Sequence, residues 1–179
     1  MHRVEKEIWK GTKSSLLHFR TSMLIEETVT NWLNEKFTEE SFRECYVVDV
    51  HHSPKKLEIF LDSDGVLDLA LCTKINKWLG RKIEESDLIP DAYILEVSSM
   101  GLDRPLKLHR QYVKNIGRPV TVHHQNGHII EGILTEVKPD MIIVQQEVIE
   151  IEKKKKVKKK VETIILLDDI IKTFIQIKF

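Results

Sequence analysis

"LEVSSMGLDRPLKLHR" spans Leu95–Arg110 and decides how the chain is organised. It opens as a strand and closes as a basic joint broken by proline. An active-site loop and a hinge between two domains that present a binding surface are the competing readings. Gly101 permits a turn, while Pro105 fixes φ and offers no N–H to a helix or ladder. Arg104, directly before Pro105, is pushed toward an extended conformation. Those properties space two domains over few residues. The interdomain linker is therefore assigned to Ser98, Ser99, Gly101, Asp103, Arg104 and Pro105. Asp103 and Arg104 are expected to make hydrogen bonds or a charge pair that joins the domains, with a phosphate contact of Arg104 as the alternative.

The charge balance changes sign at this joint. The 179 residues have a formal net charge of +0, but residues 1–103 hold 13 Lys and Arg against 19 Asp and Glu. The remainder holds 15 against 9. A basic half beside an acidic half points to a polyanion facing only one of them. No apolar run approaches the ~18 residues of a membrane span. The N-terminal residues lack the apolar stretch of a secretory signal. Cys45 and Cys72 stand far apart, which suits a reducing cytoplasm and not a disulfide scaffold. A cytoplasmic location away from membranes is expected.

Working back from the joint, residues 1–22 show weak periodicity and are expected to be an extension. Leu24–Phe37 is helical in pattern, with Ile25, Val29, Trp32, Leu33 and Phe37 toward one face. Cys45–His51 and Leu57–Asp62 alternate as strands, with Ser53-Pro54-Lys55 as the turn of a hairpin. Asp68 is expected to cap a second helix whose stripe is Leu69, Cys72, Ile75 and Leu79, ending at Gly80. Residues 92–97 supply a third strand. The order α-β-β-α-β predicts an α+β domain over residues 23–103, its helices on one face of a three-stranded sheet.

Working forward, short strands recur at 120–125, 128–138, 141–152, 157–167 and 173–179. Asn126-Gly127 is the signal of a type I′ hairpin turn, and Asp168-Asp169-Ile170 fits one helical turn. Five short strands predict a small SH3-like, or Sm-like, β-barrel over residues 104–179.

Local chemistry is sparse. Asp62-Ser63-Asp64-Gly65 fails as a calcium loop, because Val66 and Thr73 stand where oxygen ligands are needed. It reads as a strand-to-helix turn in which Gly65 supplies a positive φ. His123, His124 and His128 gather near a turn, but His123 and His124 point to opposite faces of a strand, too few convergent ligands for a metal. The same reading makes His51 and His52 exposed hairpin-tip residues. Gly127 and Gly132 have Walker spacing, yet Ile133-Leu134 replace the phosphate-binding Lys-Ser/Thr. No serine or cysteine has a recognisable nucleophile context. No catalytic residue, metal or cofactor is assigned.

"EKKKKVKKK" is the strongest compositional signal, with Lys153, Lys154, Lys155, Lys156, Lys158, Lys159 and Lys160 interrupted only by Val157. A solvated arm whose like charges discourage edge pairing is one reading. A polyanion-binding finger is the other, with affinity falling steeply in salt. Aromatics near the run are scarce, so shape and charge recognition of structured RNA fits better than base stacking.

The segment Tyr93–Leu106, YILEVSSMGLDRPL, closely resembles the linker signature of the bacterial ribosome maturation factor RimP family. That family usually has proline where Met100 stands here. Asp62–Cys72 resembles the approach to the family's second helix, and Ile116–Val120 the start of its barrel. The resemblance covers roughly Met23–Phe179. It implies a non-enzymatic factor that binds the immature small (30S) ribosomal subunit, contacting rRNA and a ribosomal protein, and assists its assembly. It also implies the α+β domain and the SH3-like barrel. On that reading, Arg104, Lys107, Arg110, Lys114, Arg118 and the Lys153–Lys160 arm are the candidate subunit-binding residues of a monomer. Asp49, Asp62 and Asp64 are candidates for a basic protein partner. A stand-alone Sm-like RNA-binding regulator is the alternative.

Overall fold

The computed structural model describes the backbone of residues 2–152 and 155–176, and side chains over 19–148 and 158–176. The chain divides into two compact units, Met1–Ser99 and Met100–Phe179.

The first unit runs α1 (His2–Lys36), β1 (Cys45–Ser53), β2 (Lys56–Ser63), α2 (Leu69–Ser86) and β3 (Ile94–Ser99). Its sheet has the order β1-β2-β3, with β1 antiparallel and β3 parallel to β2. Leu57, Ile59 and Leu61 alternate on one face of the central strand and are fully buried. Against them pack Ile25, Val29, Leu33 and Phe37 of α1 and Ile75, Leu79 and Ile83 of α2. Both helices therefore cover the same sheet face, as an amphipathic stripe laid on a period-2 strand requires.

Four local expectations change. The first helix begins at His2, so the expected extension continues directly into it. Residues 2–22 carry good helix formers such as Glu, Lys and Leu without a regular apolar stripe, which periodicity alone does not detect. The second helix passes through Gly80 and ends at Ser86, where Asp87 takes the left-handed cap with φ 52°. Ile83 extends the buried stripe by one turn, and that packing outweighs the ~1 kcal/mol cost of a helical glycine. Gly65 has no positive φ; a Cβ there would meet the Glu44 carboxylate. Asp68 does cap α2, its carboxylate accepting from the Leu71 N–H at 2.7 Å.

His52 is the fourth. It is half-buried, not an exposed tip residue, and its N–H donates to Glu26 Oε1 at 2.8 Å. Its ring nitrogen Nδ1 lies 3.0 Å from Ser22 Oγ. Burial lowers the imidazole pKa, and the Glu26 carboxylate opposes this only in part. A histidine depressed in the folded state binds its proton more readily when unfolded. Its contribution is therefore complete above the ordinary value of about 6.5 and is lost as pH falls below it. Thermal melts at descending pH should show the first unit weakening through this window, and His52→Gln should weaken less steeply.

The second unit runs α3 (His109–Lys114), β4 (Pro119–His124), β5 (Ile129–Val137), β6 (Met141–Glu152), β7 (Lys155–Leu166), a 3-10 turn (Leu167–Asp169) and β8 (Ile170–Ile175). Its sheet has the order β7-β6-β5-β4-β8, every described pairing antiparallel. Val120, Val122, Leu134, Ile142, Val144, Ile165 and Ile175 bring all five strands to one core. Among the described residues β7 and β8 are end strands with no ladder between them, so the expected barrel is not closed by strand pairing. The β4–β5 loop is not type I′, because Asn126 lacks a positive φ. Instead the Gly127 N–H donates to the His124 carbonyl at 2.9 Å, and Gly127 takes φ 84°. This is the longer hairpin loop, closed by a left-handed glycine.

Candidate nucleic-acid interface

Lys155–Lys160 lie on β7, one side of a two-stranded ribbon. β5 pairs β6 only from Ile133↔Gln145 to Val137↔Ile142. β6 and β7 continue pairing from Gln146↔Val161 out to Glu152↔Lys155, where among the described residues no third strand accompanies them. Lys158, Lys159 and Lys160 are exposed on this ribbon. Glu147 lies opposite Lys160 in the register, and its carboxylate accepts from Lys158 Nζ at 3.2 Å. Both side chains of that pair are well exposed, 74% and 60%, so it holds Lys158 weakly. Lys155 and Lys156 lie in β7 with side chains outside the described residues, and Lys153 and Lys154 lie outside them altogether.

A second group of basic residues surrounds α3. Lys107, Arg110, Lys114 and Arg118 are all exposed. Buried amides anchor two of them, Lys107 and Arg118. Gln111 Oε1 accepts from the Lys107 and Leu108 N–H groups at 2.8 and 3.1 Å, which caps the start of the helix. Asn115 Nδ2 donates to the Gln111 carbonyl at 2.7 Å. Asn115 Oδ1 in turn accepts from Arg118 Nη1 at 2.9 Å. Gln111 and Asn115 are 2% and 5% exposed, so the Arg118 guanidinium is tethered to a rigid base. Tyr112 secures the helix from below, its hydroxyl donating to Thr173 Oγ1 of β8 at 3.0 Å. Burial raises the Tyr112 pKa, with the Thr173 contact opposing, so it stays a neutral donor at physiological pH.

Gly117 makes the turn from α3 to β4 with φ 89°, its N–H donating to the Leu134 carbonyl at 2.7 Å. An added Cβ meets nothing there, so the penalty of a side chain is conformational alone. Gly117→Ala should cost the second unit about 1–2 kcal/mol, read by thermal denaturation followed by circular dichroism.

The linker residues are placed as follows. Ser98 and Ser99 end β3 opposite Phe60 and Leu61. Gly101 has φ 67°. Asp103 and Arg104 are exposed and Pro105 is half-buried. The Leu106 N–H donates to the Thr173 carbonyl at 2.8 Å, fixing the start of the second unit against β8.

The two histidines of β4 are engaged locally. The His123 ring stands edge-on to Phe174 at 5.8 Å, and His124 Nδ1 accepts from the Asn126 N–H at 3.2 Å. Lys172 Nζ lies 5.5 Å from the same Phe174 ring. This aromatic-basic group escaped the sequence reading because His123 and Phe174 are far apart in the chain and meet only through the β4–β8 pairing. The Gln111–Asn115–Arg118 network was likewise invisible, since amides carry no periodic signal.

In the first unit, Lys56 lies between two carboxylates, 2.9 Å from Glu58 and 2.8 Å from Glu96. Hydrogen bonding to Glu96, then Glu58, raises its pKa. Asp62 stands opposite Tyr46 and Asp49 opposite Phe60 in the same sheet. The geometry thus sets charged groups of both signs on this strand pair, with acid in excess.

Residues 33–103 match the family model of the RimP N-terminal domain. The matched region covers β1 to β3 and both linker serines. Over these residues the chain is similar to the RimP family. A similar curated protein, the ribosome maturation factor RimP of Cytophaga hutchinsonii, is 36% identical over 106 residues. That match covers 56% of this chain and 64% of the relative, so the chain spans somewhat under two thirds of the relative's length. The matched residues end at Asp103, just past the point where one compact unit ends and the next begins. No described helix is long and apolar enough to cross a membrane.

Proposed function

We propose that the protein binds the immature small (30S) ribosomal subunit and assists its assembly without catalysing a reaction. The RimP N-terminal domain at residues 33–103 carries this reading, together with the name of its relative, a ribosome maturation factor. The exposed basic residues of the second unit support an rRNA contact through Lys107, Arg110, Lys114, Arg118 and the lysine arm. Lysines that neutralise phosphates bind by releasing counterions, which suits a large folded RNA. The acidic first unit supports a contact with a basic ribosomal protein, with Asp49, Asp62 and Asp64 among its acids.

In this reading residues 104–179 form an SH3-like barrel, a proposal favoured by the strand order β7-β6-β5-β4-β8 around a single core. The linker Ser98–Pro105 separates it from the α+β domain, and the protein acts as a cytoplasmic monomer. Arg104 has a joining role there. Arg104→Ala should lower stability and leave the salt dependence of subunit binding unchanged, whereas a phosphate contact would make that dependence shallower.

A sucrose-gradient profile of lysate containing the tagged protein tests the proposal. Co-sedimentation with free small subunits, and not with complete ribosomes, is expected. Protein at the top of the gradient at both low and moderate salt would overturn it and favour a regulator of free RNA.

A further inference from the structure

Among the described residues β1 is an end strand of the first sheet, so one of its edges has no neighbouring strand. His52 shows which backbone groups lie there. Its N–H donates to Glu26 Oε1 at 2.8 Å, and its carbonyl accepts from Ser22 Oγ at 2.9 Å. Both partners belong to α1, which therefore caps the edge at this point in place of a strand. In an antiparallel ladder, alternate residues turn both backbone groups to the same side. The register is unbroken from Asp49 to Ser53, so Val50 turns its N–H and carbonyl to the same free edge as His52. Among the described residues no α1 side chain caps Val50 in the same way. The register shift between Val47 and Asp49 then ends the alternation, leaving a short open stretch.

A groove of about 410 Å³ runs beside this stretch. Glu26, Glu27 and Thr30 of α1 form one wall, and Val48, Asp49 and Val50 of β1 form the other. No lysine or arginine lines it. Glu27 is exposed, and Asp49 and Glu26 are half-buried.

We infer that the free edge of β1 accepts a short, extended, basic segment of a protein partner, added as a strand beside Val50. Main-chain hydrogen bonds to Val50 supply the attachment, and Glu27 and Asp49 select lysine or arginine on the incoming chain. An RNA backbone is disfavoured by the three carboxylates. A second copy of this chain is disfavoured too, because pairing β1 with β1 would bring like charges together. The chemistry stands on the groove alone; under the small-subunit reading, such a segment is an extension of a ribosomal protein.

The test uses the full chain and a fluorescein-labelled heptapeptide of alternating lysine and valine, followed by fluorescence anisotropy. Saturable binding is expected. Methylating alternate backbone nitrogens of the peptide, which keeps its charge, should weaken binding about tenfold through lost hydrogen bonds. Glu27→Lys, at an exposed position that leaves the core untouched, should weaken it by a similar factor. Slower hydrogen exchange of the Val50 amide in the complex is the third expected sign. Equal binding of the methylated peptide would overturn strand addition, and an unchanged Glu27→Lys would overturn the groove as its place. Loss of peptide binding alongside intact co-sedimentation with small subunits would defeat this inference alone.

Discussion

Exchanging Lys158, Lys159 and Lys160 together for glutamine should weaken binding to small subunits roughly a hundredfold near 0.1 M salt. The figure follows from counterion release: each phosphate contact contributes about 0.7–0.9 to the slope of log affinity against log salt. Three lost contacts lower that slope by about 2–3. Glu147 already shares the charge of Lys158 at 3.2 Å, which reduces that lysine's contribution. Stability should hardly change, since among the described residues no third strand joins the ribbon beyond Gln146↔Val161. Exposed substitutions of this kind usually stay within about 0.5 kcal/mol. Purified protein titrated against small subunits across a salt series measures the effect. An unchanged slope would show that the arm is a solvated edge guard and not an rRNA contact.

Ile59→Ala should destabilise the first unit by about 3 kcal/mol. Ile59 is completely buried at the centre of β2, in the core that both helices share. Truncation there removes apolar contact and leaves a cavity that two helices and a sheet cannot easily collapse. All three tryptophans, at positions 9, 32 and 78, precede the second unit, so their fluorescence reports on the first alone. The urea midpoint of that signal should fall by about 1.5 M, for a slope typical of a domain this size. A far smaller shift would mean that this core is less tightly packed than its burial indicates.

Much of this architecture was legible in the sequence, for reasons that differ by element. The stripe Ile25, Val29, Leu33 and Phe37 and the alternation Leu57, Ile59 and Leu61 are direct imprints of burial on local periods. Asp68 was readable as a cap because its interaction is local. Gly80 misled because a glycine signals a stop only when packing does not carry the helix onward, and Ile83 does. Asn126-Gly127 misled because two loop lengths share that dipeptide, and the His124–Gly127 bond selects the longer.

The candidate site was less legible. A lysine run is visible as composition, but its place on a two-stranded ribbon depends on where β5 stops pairing. The amides under Arg118 and the free edge at Val50 depend on contacts between segments distant in the chain. The functional expectation came from the motif around Gly101 and Pro105, which periodicity could not interpret. The match over residues 33–103 supports that motif reading for the first unit.

The most direct test of the account is the affinity of the purified full chain for two small-subunit preparations, one immature, from cells lacking the protein, and one mature. The account predicts tighter binding to the immature particles, with an affinity that falls as salt rises. Equal affinity for both, or binding to neither while free RNA is retained, would contradict a role in small-subunit maturation.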